Sequence, residues 1–157
     1  MAAHDRKGFV CGEPSLDEYV SRYVTQDIKR SLTRAFVLVQ EGNRGVQGYY
    51  TLSATQIQRE RFPAEQARKL PRYPIPAVLL GRLAVEQALQ GKGLGEFLLI
   101  DALKRVALAA ETIGVYAVIV VALNERAARF YSGYEFIPLP DTPHTLFLPL
   151  ETIRQLT

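Results

Sequence analysis

The chain has 157 residues, 48% of them hydrophobic and 22% charged, with Cys11 as its only cysteine. That length suits one domain, residues 1–157, around a single core, while one cysteine excludes an intramolecular disulfide and a cysteine-cluster metal site, so no metal is expected. Lys and Arg outnumber Asp and Glu by 19 to 16, a formal charge of +3, which permits a nucleic-acid partner without requiring one.

Near the N-terminus, His4, Asp5, Arg6 and Lys7 interrupt any apolar run that could serve as a signal peptide, and no later run is long enough to span a bilayer. A cytoplasmic protein with no membrane partner is expected. Ser15 and Glu18 have capping-box spacing and predict a helix over 16–29, with Leu16, Tyr19, Val20, Tyr23 and Ile28 on one face and Arg22, Lys29 and Arg30 on the other. Residues 35–40 read as a buried strand, 41–45 as a turn, and Tyr49 to Leu52 as the second arm of an antiparallel hairpin. A short helix is predicted over 63–70, after which Pro74 and Pro76 keep the lead into the next strand extended. Residues 77–85 are nearly all apolar, as in a strand covered on both faces. They enter a glycine-rich turn, Gln90 to Gly95, and a helix reaching residue 110 with Leu94, Phe97, Leu98, Ala102 and Val106 on its repeating face. The return strand, 115–122, is again apolar, so the two should lie parallel in the middle of a mixed sheet. Asn124 caps a helix over 125–131, 133–136 turns the chain, and 137–139 with 145–148 close the sheet as a hairpin.

The fold class is therefore α/β, and the glycine turn between strand and helix carries its chemistry. Backbone N–H groups at such a turn, with the positive end of the helix dipole, attract phosphate. A Walker A loop requires Ser or Thr after its lysine, yet Lys92 is followed by Gly93. A dinucleotide fingerprint requires a glycine where Glu96 stands and belongs in the first strand–helix turn of a domain. The remaining pattern, Gln/Arg-x-x-Gly-x-Gly/Ala, is met by Gln90, Gly93 and Gly95.

With Asn124, Ala127, Ala128, Phe130, Tyr131 and Phe136 at matching spacing downstream, the chain resembles the GNAT N-acetyltransferases. More closely it resembles the GNAT toxins of type II toxin–antitoxin modules, through Gly8-Phe9-x-Cys11-Gly12 with Leu16-Asp17, Gly48-Tyr49-Tyr50-Thr51-Leu52-Ser53, Leu80-Gly81-Arg82-Leu83-Ala84-Val85, and Phe130-Tyr131. Glu135 departs from the pattern, standing where the family usually has glycine.

The resemblance implies a GNAT fold whose parallel central strands splay apart, and acetyl-coenzyme A as cofactor. The amides from Gly91 through Lys92, Gly93, Leu94 and Gly95 to Glu96 would hold its pyrophosphate, with Gln90 opening the motif; the free backbone edge at Leu83, Ala84 and Val85 would pair with the pantetheine arm. Asn124 and Phe130 would line the same cofactor, Asn124 reading equally well as a plain helix cap. Tyr131 would be the general acid, its phenol being protonated at neutral pH; no general base is evident, and neither His4 nor His144 lies in a matching motif. The implied acceptor is the α-amine of aminoacyl-tRNA, whose acetylation blocks translation. Arg22, Lys29, Arg30, Arg34, Arg82, Arg126 and Arg129 are the cations available for RNA. The implied partners are a ribbon-helix-helix antitoxin, operator DNA reached only through it, and a second copy in a homodimer. An acetyltransferase for a small amine or a protein N-terminus, and a non-catalytic acetyl-CoA-binding subunit, stay open beside this reading.

Overall fold

A computed structural model describes Arg6 and residues 8–40 and 45–157. His4 and residues 41–44 of the turn predicted at 41–45 lie outside the described residues. In chain order, α1 (Pro14–Glu18) passes through a π-helical turn (Tyr19–Tyr23) into α2 (Val24–Lys29), followed by β1 (Arg34–Leu38), β2 (Gly48–Ile57), α3 (Ala64–Ala67) and β3 (Ile75–Val85). Then come α4 (Leu94–Ala109), β4 (Ala117–Val121), α5 (Glu125–Ser132), β5 (Ile137–Pro138), β6 (Thr145–Pro149) and α6 (Leu150–Leu156). The strands form a six-stranded mixed sheet in the order β1-β2-β3-β4-β6-β5, flanked by helices. Among the described residues no helix is long and apolar enough to cross a membrane.

Packing divides the chain into two units, Met1–Ser53 with Gly81–Ala102, and Ala54–Leu80 with Leu103–Thr157. In the first, Phe9, Tyr19, Val20, Val24, Tyr49 and Ala84 belong to one core cluster. Phe9 and Tyr49 meet edge to face at 5.5 Å, and the Tyr49 hydroxyl donates to the Leu16 carbonyl at 2.7 Å. Cys11 is buried in the same cluster; its N–H donates to Asp17 Oδ1 at 2.9 Å. Burial, with the Asp17 carboxylate beside it, pushes the Cys11 thiol up to about 12. β1 pairs antiparallel with β2 from Arg34↔Leu52 to Leu38↔Gly48, as the hairpin reading predicts.

The first helix differs from its predicted form. Pro14, with its fixed φ, takes an opening position after the N-cap Glu13, which makes no side-chain cap bond, so the helix starts before the Ser15–Glu18 box and Ser15 lies inside its first turn. The π turn then inserts one residue into the helical repeat. The apolar stripe moves on by one place: Tyr23, predicted inside, is 47% exposed, and Val24 is fully buried.

In the second unit, Phe62 stacks edge to face on Phe147 at 5.0 Å and on Tyr116 at 5.6 Å, in a cluster with Ile57, Ile75, Ala77 and Ile119. β2 runs past its predicted end because Ile57 anchors here. β3 starts at Ile75 and takes in Pro76, which lacks a donor but whose carbonyl accepts the Tyr116 N–H at 2.9 Å. β3 and β4 pair in parallel from Ala77↔Ala117 to Leu80↔Val120. The parallel ladder stops there; β4 ends at Val121 while β3 continues to Val85. β6 pairs antiparallel with both β4 and β5. The sequence reading does not foresee α6, a short helix with Ile153 fully buried and the Leu150 N–H donating to the Tyr116 carbonyl at 2.8 Å.

α4 also differs in its face. Leu98, Leu99, Ala102, Leu103 and Val106 are buried, and Phe97, predicted among them, is 57% exposed. Leu99 and Leu103 widen the stripe on one side, which rotates Phe97 off it.

Candidate functional site

In the first unit, the end of β3 is tied down before the glycine turn begins. Glu86 N–H donates to the Gln47 carbonyl at 2.8 Å and Gln87 N–H to the Val10 carbonyl at 2.7 Å. Gln90 Nε2 then donates to the Val85 carbonyl at 2.9 Å and to the Cys11 carbonyl at 2.7 Å. The residue that opens the motif thus clamps the turn to the strand with its side-chain amide. Gly91 and Gly93 sit at φ +83° and +82°, the left-handed region. A Cβ at either would meet nothing within 4 Å, so the glycines answer to backbone conformation and not to crowding. The Gly93 carbonyl accepts the Phe97 N–H at 3.0 Å and so begins α4. That leaves the N–H groups of Leu94, Gly95 and Glu96 in the first helical turn, where no intrahelical acceptor exists and the dipole is positive. Lys92 is exposed beside them, Leu83 is half-buried, and Ala84 and Val85 are buried.

In the second unit, Asn124 Oδ1 accepts the Ala127 N–H at 2.9 Å, an N-cap of α5. Phe130 is half-buried, with its ring 5.2 Å from Tyr131 and 5.3 Å from Tyr134. Tyr131 is 7% exposed, and burial alone pushes its phenol well above the ordinary tyrosine value. The turn after α5 holds it. Phe136 N–H donates to the Tyr131 carbonyl at 3.3 Å, Glu135 N–H donates to the Ser132 carbonyl at 3.1 Å, and Glu135 adopts φ +71°. This is a Schellman stop, completed by the contact of the Phe136 ring with Tyr131 at 5.4 Å. Glu135 takes up the left-handed conformation that glycine adopts freely, so the departure from the family pattern leaves the turn itself in place.

Two pairings went unread in the sequence. His144, which lies in no matching motif, is 2.8 Å from Glu125 Oε1 through Nε2, and this hydrogen bond holds the Glu125 carboxyl below its usual range. Arg82 lies over the Tyr19 ring, 3.5 Å from its centroid, and the Tyr19 hydroxyl donates to Asp27 Oδ2 at 2.8 Å. Burial, then Asp27, pushes Tyr19 up to about 12. The helical pattern marked Tyr19 as core only; no local signal links it to an arginine so distant in sequence.

Of the other cations, Arg22 pairs with Glu18 at 3.8 Å, and Lys29 and Arg30 are exposed at the end of α2. Arg34 Nη1 donates to the carbonyls of Thr33 (3.4 Å) and Ile28 (3.5 Å). These residues and Arg82 belong to the first unit, whereas Arg126 and Arg129 are exposed on α5 in the second.

Residues 13–136 match the model of the acetyltransferase (GNAT) family. The chain belongs to that family. It is 37% identical over 154 residues to the tRNA-acetylating toxin of Mycobacterium tuberculosis, covering 98% of this chain and 91% of that one, and 32% identical to the probable toxin TacT of Sinorhizobium fredii, covering 98% and 89%. Among solved structures, AtaT complexed with acetyl-methionyl-tRNAfMet aligns with TM-score 0.91 at 34% identity, covering 99% of this chain and 94% of that chain. A tyrosine-to-phenylalanine mutant of AtaT bound to the C-terminus of the antitoxin AtaR and acetyl-CoA aligns at 0.85 with 32% identity (98% and 90% covered). The AtaT–AtaR complex bound to DNA aligns at 0.81 with 33% identity (99% and 93% covered).

Two predictions follow from this geometry. Glu135→Gly should raise the unfolding free energy by about 1 kcal/mol, the left-handed penalty of roughly 1–2 kcal/mol less glycine's larger chain entropy; urea denaturation measures it. Tyr19, Tyr49 and Tyr131 all titrate higher folded than unfolded, where tyrosine ionises near pH ~10. Below that pH both states hold the protons. Above it only the unfolded chain loses them, so the urea midpoint should be level to about pH 10 and fall progressively toward pH 12, with a smaller fall in Tyr131→Phe.

Proposed function

We propose that the protein transfers the acetyl group of acetyl-coenzyme A to the α-amino group of aminoacyl-tRNA and so inhibits translation. The observation that carries this reading is the likeness to the tRNA-acetylating toxin over 98% of the chain. Bound acetyl-coenzyme A supplies an activated acyl group as its thioester. The first-turn amides of α4, kept clear of side chains by Gly91 and Gly93, suit its pyrophosphate. Leu83, Ala84 and Val85, on the part of β3 beyond the parallel ladder, suit the amides of its pantetheine arm. Tyr131 Oη, protonated at neutral pH and held so more firmly by burial, gives its proton to the leaving sulfur. No side chain need remove a proton from the amine before it attacks, because an esterified amino acid has a less basic α-amine than lysine and binds neutral; the N–H proton released as the amide forms replaces the one Tyr131 gave to sulfur.

Residues 1–157 make one acetyltransferase domain. Arg22, Lys29, Arg30, Arg34, Arg82, Arg126 and Arg129 are its cations for the acceptor stem. It acts as a homodimer in the cytoplasm, silenced by a ribbon-helix-helix antitoxin that carries the complex to operator DNA; the DNA-bound AtaT–AtaR complex supports that arrangement.

Charged tRNA incubated with the protein and acetyl-coenzyme A should acquire an acetyl group on its amino acid, and expression without antitoxin should arrest growth. Unmodified aminoacyl-tRNA alongside acetylation of a small amine would favour the small-amine reading. Tyr131→Phe should bind acetyl-coenzyme A as the wild type does yet lose about 100-fold or more in turnover; near-normal turnover would remove Tyr131 from the mechanism. Gly93→Ala, strained at φ +82°, should weaken acetyl-coenzyme A binding about 10-fold by calorimetry, from distortion of the amide cradle.

A further inference from the structure

The positive charge of the chain is concentrated in one connection. Residues 58–74, which join β2 to β3, hold Arg59, Arg61, Arg68, Lys69 and Arg72 against Glu60 and Glu65, a formal +3 that equals the net charge of the whole protein. Of the 19 Lys and Arg and the 16 Asp and Glu, 14 of each lie elsewhere and balance. None of the five cations is among those assigned above to the acceptor stem.

Two of the five serve the fold: Arg59 Nε donates to the Ala67 carbonyl at 2.7 Å, and Arg61 Nη2 donates to Thr142 Oγ1 at 3.1 Å, with its Nε 3.9 Å from Asp141. Arg68, Lys69 and Arg72 are exposed and make no ion pair among the described residues. Tyr73, next to them, is 65% exposed. The main chain that carries this group is fixed. Ala67 and Leu70 pack against the Phe62 cluster, Ile75 is buried, and the N–H groups of Arg68 and Lys69 donate to the carbonyls of Ala64 and Gln66, both at 3.1 Å. Pro71 and Pro74 bracket Arg72 and Tyr73 and restrict the chain on either side. A surface held in this way gives up little conformational freedom when it binds.

We propose that residues 68–73 are a separate contact for the body of the tRNA, in which Arg68, Lys69 and Arg72 meet backbone phosphates and the Tyr73 ring stacks on an unpaired base. Exposed cations without carboxylate partners gain most from phosphates, whose counterions they release. An exposed ring beside them offers a face on which any base can stack. An acidic protein segment would use the cations alone; cations and ring together favour a partner that has both charge and flat bases. The contact lies away from the chemistry. Residues 68–73 lead into β3 where the Tyr116 N–H bonds the Pro76 carbonyl, and the five residues of β4, about 17 Å of strand, separate that point from the turn into the helix of Tyr131. An esterified amino acid does not span that separation, so the surface addresses the RNA and leaves the transfer step alone. This rests on the proposed aminoacyl-tRNA acceptor.

Tyr73→Ala, Tyr73→Phe and the triple variant Arg68→Ala, Lys69→Ala, Arg72→Ala are compared with wild type in the full chain. The readouts are tRNA affinity from about 50 to 200 mM salt, kcat and KM with charged tRNA, acetyl-coenzyme A affinity and urea midpoint. The triple variant should show a salt slope of log affinity shallower by about 2 and a KM raised about 10-fold or more, with kcat, acetyl-coenzyme A affinity and urea midpoint held. Tyr73→Ala should lose about 10-fold in tRNA affinity, and Tyr73→Phe, which keeps the ring face, should not. Wild-type affinity and salt slope in the triple variant overturn the contact, and so does a loss in Tyr73→Phe equal to that in Tyr73→Ala. Unchanged tRNA binding with weakened inhibition by the antitoxin also overturns it and assigns the surface to a protein partner. A wild-type protein that binds tRNA through this surface but does not acetylate charged tRNA would count against the proposed acceptor and leave the contact standing.

Discussion

Parallel pairing between β3 and β4 ends at Leu80↔Val120, but β3 does not end there. A strand that outruns its neighbour leaves main-chain donors and acceptors to be satisfied by something other than that neighbour. The chain handles the far end of the overrun itself: Gln90 bonds to the Val85 carbonyl, and the Glu86 and Gln87 amides go to Gln47 and Val10. The glycine turn hangs from this clamp. Its geometry is therefore set by the strand, and α4 starts in a fixed place because Gly93 supplies the first helical carbonyl.

Tyr131 is held by a different device, a helix stop. Its carbonyl is occupied by Phe136 N–H and its ring is covered by Phe130 and Phe136. Substituting Glu for Gly at 135 costs backbone strain but leaves both contacts intact, because the Schellman bonds use only main-chain groups. The same packing that fixes the ring removes water from it, and that loss of hydration raises the phenol further above neutral pH, where an ordinary tyrosine is already protonated.

Much of this was legible in the sequence because the signals are local. The apolar runs of β3 and β4, the cap at Asn124 and the two glycines with left-handed φ depend on residues within a few places of one another. What escaped depends on neighbours brought in by the fold. The π turn that swaps Tyr23 for Val24, the rotation of α4 that exposes Phe97, and the short helix α6 all follow from which surface lies opposite. Arg82 over Tyr19 is of the same kind, since β3 must arrive before it exists. The capping box at Ser15 failed for a local reason, because Pro14 already offers an opening position to the helix.

Cys11, the only cysteine, has a further consequence. Thioesters exchange with thiolates, not with thiols. With its thiol buried and pushed up to about 12, Cys11 holds almost no thiolate at neutral pH. The folded protein thus carries no sulfur able to accept an acyl group from a thioester in passing, and none that a thiol-reactive dye can reach quickly. In a reaction mixture, the free thiol released by acyl transfer would be the one such reagents detect, against a silent protein background.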